Sequence, residues 1–210
     1  MRALLRSLIV LLACMLLGGC VFDFLFGDSG EGRIEVEITD APADDVDRVR
    51  LSVSAVELVS DDQGAERYTF SPPAVISDVL ALQDGTSRLL LDEDAVPVGR
   101  YQELRLEIAG GDGDSLVRED AGGEFELLTP GQSSAVSGPE RLSGTGDFRI
   151  QEGETTRILL DIDLRRALIK PAGANHYVLL SVLRLLDPGQ GASVEGTVRD
   201  ADLDASTCTN

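Results

Sequence analysis

An all-β sandwich is the fold class that this 210-residue sequence predicts. Three observations carry it. Apolar residues recur at period two in stretch after stretch, turn signals separate the stretches, and no run keeps the 3.6-residue period of a long helix. The core of such a body is built from Leu, Val and Ile, because past Gly32 the aromatics are only Tyr68, Phe70, Tyr101, Phe125, Phe148 and Tyr177.

The first element precedes the sandwich. Residues 1–19 have the layout of an export signal, with Arg2 and Arg6 as the positive start, Ser7 to Leu17 as the apolar middle, and Gly18 and Gly19 as small residues before a cut. The apolar run is shorter than the roughly 20 residues a bilayer span needs. Leu17-Gly18-Gly19-Cys20 matches the signature that directs lipid attachment to a cysteine, with cleavage just before it, so Cys20 is the expected anchor. Bacterial lipoproteins, which this start resembles, carry a diacylglyceryl thioether there and often a third, amide-linked chain. Two or more chains anchor stably where one does not. Val21 in place of aspartate resembles the pattern that allows transfer to the outer membrane. Val21 to Phe26 is apolar for a tether: it fits the headgroup region beside the lipid, an extension of the first strand, or a cover over an edge of the domain. Gly27 to Gly32 reads as a flexible linker.

The strands follow. Arg33 to Thr39 alternates without a break, so Ile34, Val36 and Ile38 are expected to face the core. Asp40-Ala41-Pro42-Ala43-Asp44-Asp45 ends it, since proline cannot continue a ladder and aspartates favour turns, and Asp40 is expected to cap that turn. Val49, Leu51 and Val53 alternate, then the phase slips to Val56 and Leu58, which predicts a bulge or a bend between sheets. Glu66 to Phe70 is a short strand closed by Pro72 and Pro73. Val75 to Leu82 is apolar and fits a strand or a short helix. Asp84-Gly85 marks a turn before Ser87 to Leu91. Leu104, Leu106 and Ile108 alternate after Pro97-Val98-Gly99-Arg100-Tyr101. From Gly110 to Gly146, Gly and Ser predict long loops around one short strand at Phe125 to Leu128. Ile158, Leu160, Ile162 and Leu164 share a face, with Asp161 and Asp163 on the other. Arg165 to Lys170 fits a helical turn, Tyr177 to Leu186 a strand covered on both sides, and Val194, Gly196 and Val198 a last strand.

Several of these stretches together resemble the Domain of Unknown Function 4382 family, found in predicted bacterial and archaeal lipoproteins. The resemblance rests on the first strand running into Thr39-Asp40-Ala41-Pro42, on Val79 to Gly85, on Val98-Gly99-Arg100-Tyr101 through Leu106, on Leu160 to Leu164, and on Tyr177 to Leu186. It covers roughly Gly32 to Asp187. Where the family pattern has an aromatic between the two aspartates, this chain has Ile162. The Gly-Arg-Tyr strand start also looks like that of prealbumin-like modules, so the resemblance implies an immunoglobulin- or prealbumin-like β-sandwich. The family carries no established activity, and the resemblance implies no mechanism.

Composition narrows the chemistry. The formal net charge is −19, and loss of residues 1–19 removes Arg2, Arg6 and no acid, taking it to −21. Such a surface repels nucleic acid and anionic headgroups. Of the three cysteines, Cys14 leaves with the signal and Cys20 becomes the anchor. Cys208 is then left without a partner in the chain, so no internal disulfide is expected. His176 is the single histidine, which argues against zinc and against a triad.

Asp161 and Asp163 lie two apart on one strand face, about 7 Å apart, a spacing that overlaps paired-carboxylate glycosidases. The default for them is a solvated face, and without Trp a sugar-stacking platform is hard to build. Calcium suits the carboxylates better. Its weak candidates are Asp40 with Asp44 and Asp45, the Gly111-Asp112-Gly113-Asp114 loop, and Asp200, Asp202 and Asp204, where Ala205 stands in place of the turn glycine.

The expected layout is a signal over 1–19, a lipidated cysteine and tether over 20–32, a sandwich over 33–199 and an acidic tail over 200–210. The expected role is a non-catalytic head on an outer-membrane lipoprotein, serving binding, adhesion or envelope assembly, with no cofactor. Its partners are the membrane, through the anchor, and an envelope protein or glycan; Asp40, Asp161 and Asp163 are the candidate binding residues. Two alternatives stand beside it: a carbohydrate- or calcium-binding accessory module, and a hydrolase using Asp161 and Asp163.

Overall fold

A computed structural model describes residues 30–190, apart from 42, 44, 110–113 and 131–139. In chain order its strands are β1 (Glu31–Ala41), β2 (Val46–Ser60), β3 (Gly64–Ile76), β4 (Arg88–Pro97), β5 (Gly99–Ile108) and β6 (Leu116–Glu119). They continue with β7 (Glu124–Leu128), β8 (Glu140–Ile150), β9 (Thr155–Asp163), β10 (Leu168–Ile169), β11 (His176–Leu179) and β12 (Leu183–Leu186). One helical turn, α1 (Leu164–Ala167), and a 3-10 turn at Pro188–Gln190 complete the described elements. Among them no helix is long and apolar enough to cross a membrane.

Two sheets face each other. The smaller has the order β12-β9-β1-β4, and the larger β10-β11-β7-β6-β2-β5-β8 with β3 added to β2. The alternation of β1 works as expected: Ile34, Val36 and Ile38 are fully buried, as are Leu160 and Ile162 on β9. They meet Val56, Leu58, Leu104 and Leu106 of the larger sheet in one continuous core. Each such side chain contributes on the order of 1.5–3 kcal/mol by leaving water. At the centre, Tyr101 stacks on Phe148 with ring centroids 5.5 Å apart. Its hydroxyl donates to the Pro97 carbonyl at 2.8 Å.

The phase slip in β2 is a bulge. Both of its long ladders shift register between Val53 and Ala55, so the core-facing set changes parity while the strand stays in one sheet.

The two prolines do not close β3 at Phe70. The strand continues to Ile76, and the ladder passes from Ala55 opposite Thr69 to Val53 opposite Ala74. Phe70 to Pro73 are thereby left out of register, on a strand paired with β2 alone, where a missing N–H leaves no ladder bond unmade. Val75 to Leu82 is neither strand nor helix as a whole. Its first two residues finish β3, and turns follow in which Val79 donates to the Val49 carbonyl at 2.7 Å. The glycine- and serine-rich stretch holds β6 and the first half of β8 besides β7. The helical turn starts at Leu164 and is over by Ala167, earlier than the expected Arg165 to Lys170.

Tyr177 to Leu186 is two short strands, not one. β11 pairs with β7 and β10 in the larger sheet, and β12 with β9 in the smaller. Between them the chain crosses the sandwich, tied to β8 where Ser143 N–H donates to Ser181 Oγ at 2.6 Å and that hydroxyl returns to the Ser143 carbonyl at 2.9 Å. The run is apolar because both strands feed the same core from opposite sides. Gly144 and Gly146 make room for this closure, since a Cβ at either would stand 3.1 Å from Leu183 Cβ or Leu185 Cβ. The expected last strand around Val194, Gly196 and Val198 lies outside the described residues.

Candidate functional site

Each sheet turns one face outward, and the two faces differ in how they treat charge. On the larger sheet, Glu57, Glu103 and Glu107 interleave with Arg67, Arg105 and Arg141 as cross-strand neighbours. Arg67 Nε donates to Glu107 Oε1 at 2.9 Å, Arg141 NH2 to the same oxygen at 3.2 Å, and Arg105 to Glu57 at 3.1 Å and Glu103 at 2.7 Å. The Glu107 side chain is 1% exposed, so its charge is held entirely by these donors. These three acids and three arginines balance in charge.

This network predicts an acid response. The Arg67 guanidinium, then Arg141, holds the Glu107 carboxyl below the usual range against the opposing effect of burial. A carboxyl lowered in the folded state contributes stability that is complete above its unfolded value, about 4.3. That contribution is lost as pH falls through the lower folded value. Glu107→Gln is therefore expected to be less stable at pH 7 by about 1–3 kcal/mol, and its stability curve should converge on that of the parent in acid. Urea melts of both across the acid range check this, and parallel curves would contradict it.

The outer face of the smaller sheet is built differently. Along β1 the outward residues are Arg33, Glu35, Glu37 and Thr39, and β9 sets Arg157, Leu159 and Asp161 beside the last three. β4 adds Asp92 opposite Glu35 and Leu89 opposite Glu37, and β12 adds Leu186 opposite Leu159. Leu89 and Leu186 are 51% and 45% exposed. Two walls rise from this floor. One is the turn at Gly85 to Ser87, where Asp84 and Gly85 take φ of 57° and 80°. The other is Pro188, where the chain leaves β12. Between them is a half-open cavity of about 360 Å³ lined by Glu35, Glu37, Thr39, Ser87, Arg157 and Leu159 among others.

The charges in the cavity are not evenly matched. Arg157 Nε donates to Glu35 Oε2 at 2.8 Å, and that bond holds the Glu35 carboxyl below the usual range. Arg33 reaches the same carboxylate at 3.5 Å and Asp92 at 2.6 Å. Glu37 accepts from the Ser87 hydroxyl instead. Thr39 Oγ1 donates towards the carbonyls of Leu82 and Thr86, at 2.7 and 2.9 Å, and pins the wall turn to the sheet.

Of the residues expected to matter, Asp161 and Asp163 are brought together on the side of β9 away from the core, but the solvated face expected for them does not hold at Asp163, which is buried. Arg184 of β12 lies 4.0 Å from Asp161 Oδ2 and 3.2 Å from Asp163 Oδ2. Burial raises the Asp161 carboxyl, with Arg184 opposing and Asp163 adding to the rise. Asp40 is not with them. It is buried and follows Ile38 in the alternation, so it falls on the core-side register of β1, and its N–H donates to the Leu82 carbonyl at 3.1 Å. Its expected cap involves Pro42, outside the described residues, as are Cys20, Leu17, Gly18, Gly19, Asp44, Asp112, Asp200, Asp202 and Asp204. Asp45 is exposed, with a φ of 65°. Among the described residues no three His, Cys, Asp or Glu stand together as a metal site would need. His176 begins β11 opposite Glu126.

Sequence reasoning missed the cavity. Glu35 and Glu37 were legible as solvent-facing residues of an alternating strand. The walls come from residues some 50 and 150 positions further along the chain, and no local pattern announces them.

The architecture defines the class: a two-sheet β-sandwich domain whose sheets are closed at one edge by a chain that crosses from β11 to β12. The chain belongs to the family described as Domain of unknown function (DUF4382), which matches residues 31–181. No curated protein matches it. Among solved structures, an NMR structure of a protein from Eubacterium rectale is similar, with 9% identity over 78% of this chain and 93% of that one. Its TM-score of 0.27 is too low to carry an argument.

Proposed function

We propose that this chain is an outer-membrane lipoprotein whose non-catalytic sandwich head serves as a binding, adhesion or envelope-assembly module. The observation that carries the binding role is the cavity on the smaller sheet. Its volume falls within the range of ligand sites, about 300–1,000 Å³, and its floor is rigid strand. The chain enters the domain at Gly30, whose carbonyl accepts from Val98. The cavity occupies the far half of β1, from Glu35 to Thr39. Six residues of strand, roughly 20 Å, separate Glu31 from Glu37, so the site lies along β1 well past the point where the chain enters the domain.

The other two readings find less support. Arg184 is paired with Asp163 at 3.2 Å and stands 4.0 Å from Asp161, so the two carboxylates that a hydrolase would need share one guanidinium, and no aromatic lines the cavity to stack a sugar.

Metabolic labelling with a palmitate analogue tests the anchor. Cys20→Ser is expected to abolish label uptake and to shift the protein out of the membrane fraction. Unaltered labelling and fractionation would overturn the lipoprotein reading.

A further inference from the structure

Resting on the reading of the head as a binding module, we infer that the cavity of the smaller sheet takes an extended peptide segment bearing a lysine or arginine flanked by aliphatic residues. Glu37 stands at the centre of the argument. It faces Leu89 on one side and Leu159 on the other, with Leu186 beyond, so one carboxylate sits in a row of leucines. The neighbouring cation, Arg157, is turned to Glu35, and the group that donates to Glu37 is a hydroxyl. A ligand cation would bring a positive charge to a carboxylate whose hydroxyl donor supplies none.

The leucines select the rest of the ligand. Lysine and arginine carry aliphatic stems that lie along apolar surface while the charged head reaches its partner. Leu89 beside Glu37, and Leu186 one strand beyond Leu159, are about half exposed and would be covered by such stems and by the aliphatic neighbours. Other ligand classes fit worse. Glu37 repels an anion, as does the net charge of −19. A glycan lacks a ring to stack on, and a divalent ion lacks a third ligand among the described residues.

The cavity runs along β1 for the four residue steps from Glu35 to Thr39, roughly 13 Å, the length of three or four peptide units. Its open side admits a strand laid across the face, and its walls at Ser87 and Pro188 limit the width.

The test uses the full chain in detergent and two short labelled peptides, one alternating valine with lysine and one alternating valine with glutamate, read by fluorescence anisotropy. The lysine peptide is expected to bind, more weakly as salt rises, and the glutamate peptide is expected not to. Glu37→Gln should weaken binding about tenfold, the order for losing one charged partner. Glu37→Lys should reverse the preference. A thermal melt of each variant establishes that the fold persists. Equal binding of both peptides, no binding of either, or an affinity untouched by Glu37→Gln and Glu37→Lys would overturn the inference. Palmitate labelling reads the anchor separately, so a silent cavity and a missing tether are distinguishable failures.

Discussion

Tyr101→Ala is expected to lower the unfolding free energy by about 3–5 kcal/mol, the range for deleting a large buried ring. For a domain of this size that corresponds to a fall in melting temperature of roughly 10 °C or more. Tyr101 is fully buried, lies against Phe148 and stands near the start of β5, the strand between β2 and β8. Removing the ring leaves a cavity that the surrounding strands resist filling, because β5 as a whole is held in ladders to β2 and β8. Tyr101→Phe separates the two parts of the effect. It keeps the ring and loses only the bond to the Pro97 carbonyl at 2.8 Å, an expected cost of about 1 kcal/mol. Denaturant melts of both variants check the pair. A Tyr101→Phe loss as large as that of Tyr101→Ala would mean the hydroxyl, not the ring, holds the turn between β4 and β5.

Gly32→Val is expected to be comparably damaging, at about 3 kcal/mol or more, because overpacking against rigid atoms costs at least as much as a modest cavity. A Cβ at this position would stand 2.3 Å from the Gln151 carbonyl oxygen and 2.7 Å from Ile150 Cγ2. The first of these is backbone and has nowhere to go: the turn after β8 is tied to β1 by bonds from Arg33 N–H to Glu154 O at 2.9 Å and from Gly153 N–H to Glu31 O at 3.2 Å. Gly64, with open space around the same hypothetical atom but a φ of 83°, is a useful contrast. Its substitution by alanine is opposed only by backbone conformation, about 1 kcal/mol. Circular dichroism melts that placed Gly32→Val level with Gly64→Ala would remove the steric argument.

Gly32 also shows why parts of the chain resisted reading. In sequence it closes a glycine-rich linker; in the fold it is a buried strand position in β1. The same holds for Pro72 and Pro73. Their chemistry argues against a central strand, and β3 tolerates them because it is an edge. Tyr177 to Leu186 has the composition of one strand buried on both faces, yet it is divided between sheets. Hydrophobicity reports that a residue is covered, not which sheet it belongs to.

By contrast, strict alternation was legible wherever one face met the core and the other met water. Ile34, Val36 and Ile38, and the Ile158 to Leu164 face, lie as their period required, and of the bulge or bend that the phase change in β2 left open the structure has the bulge. The aspartate pair was legible for the same reason, since residues two apart on a strand must share a face. What it touches was not. Arg184 follows Asp163 by 21 residues, and only the pairing of β12 with β9 sets it there.

The sequence by itself determined that this chain is a sheet-built, acidic body and which residues turn inward along its regular strands, and its first 20 residues supply the pattern on which the lipoprotein proposal rests. These are local properties, set by side-chain period, composition and short-range signature. Only the tertiary structure decided which carboxylates are spent on internal ion pairs and which stand in an open cavity. That distinction depends on strands and turns from distant parts of the chain arriving at one face. Burial and charge pairing are properties of the assembled sheet, and no single stretch of residues holds them.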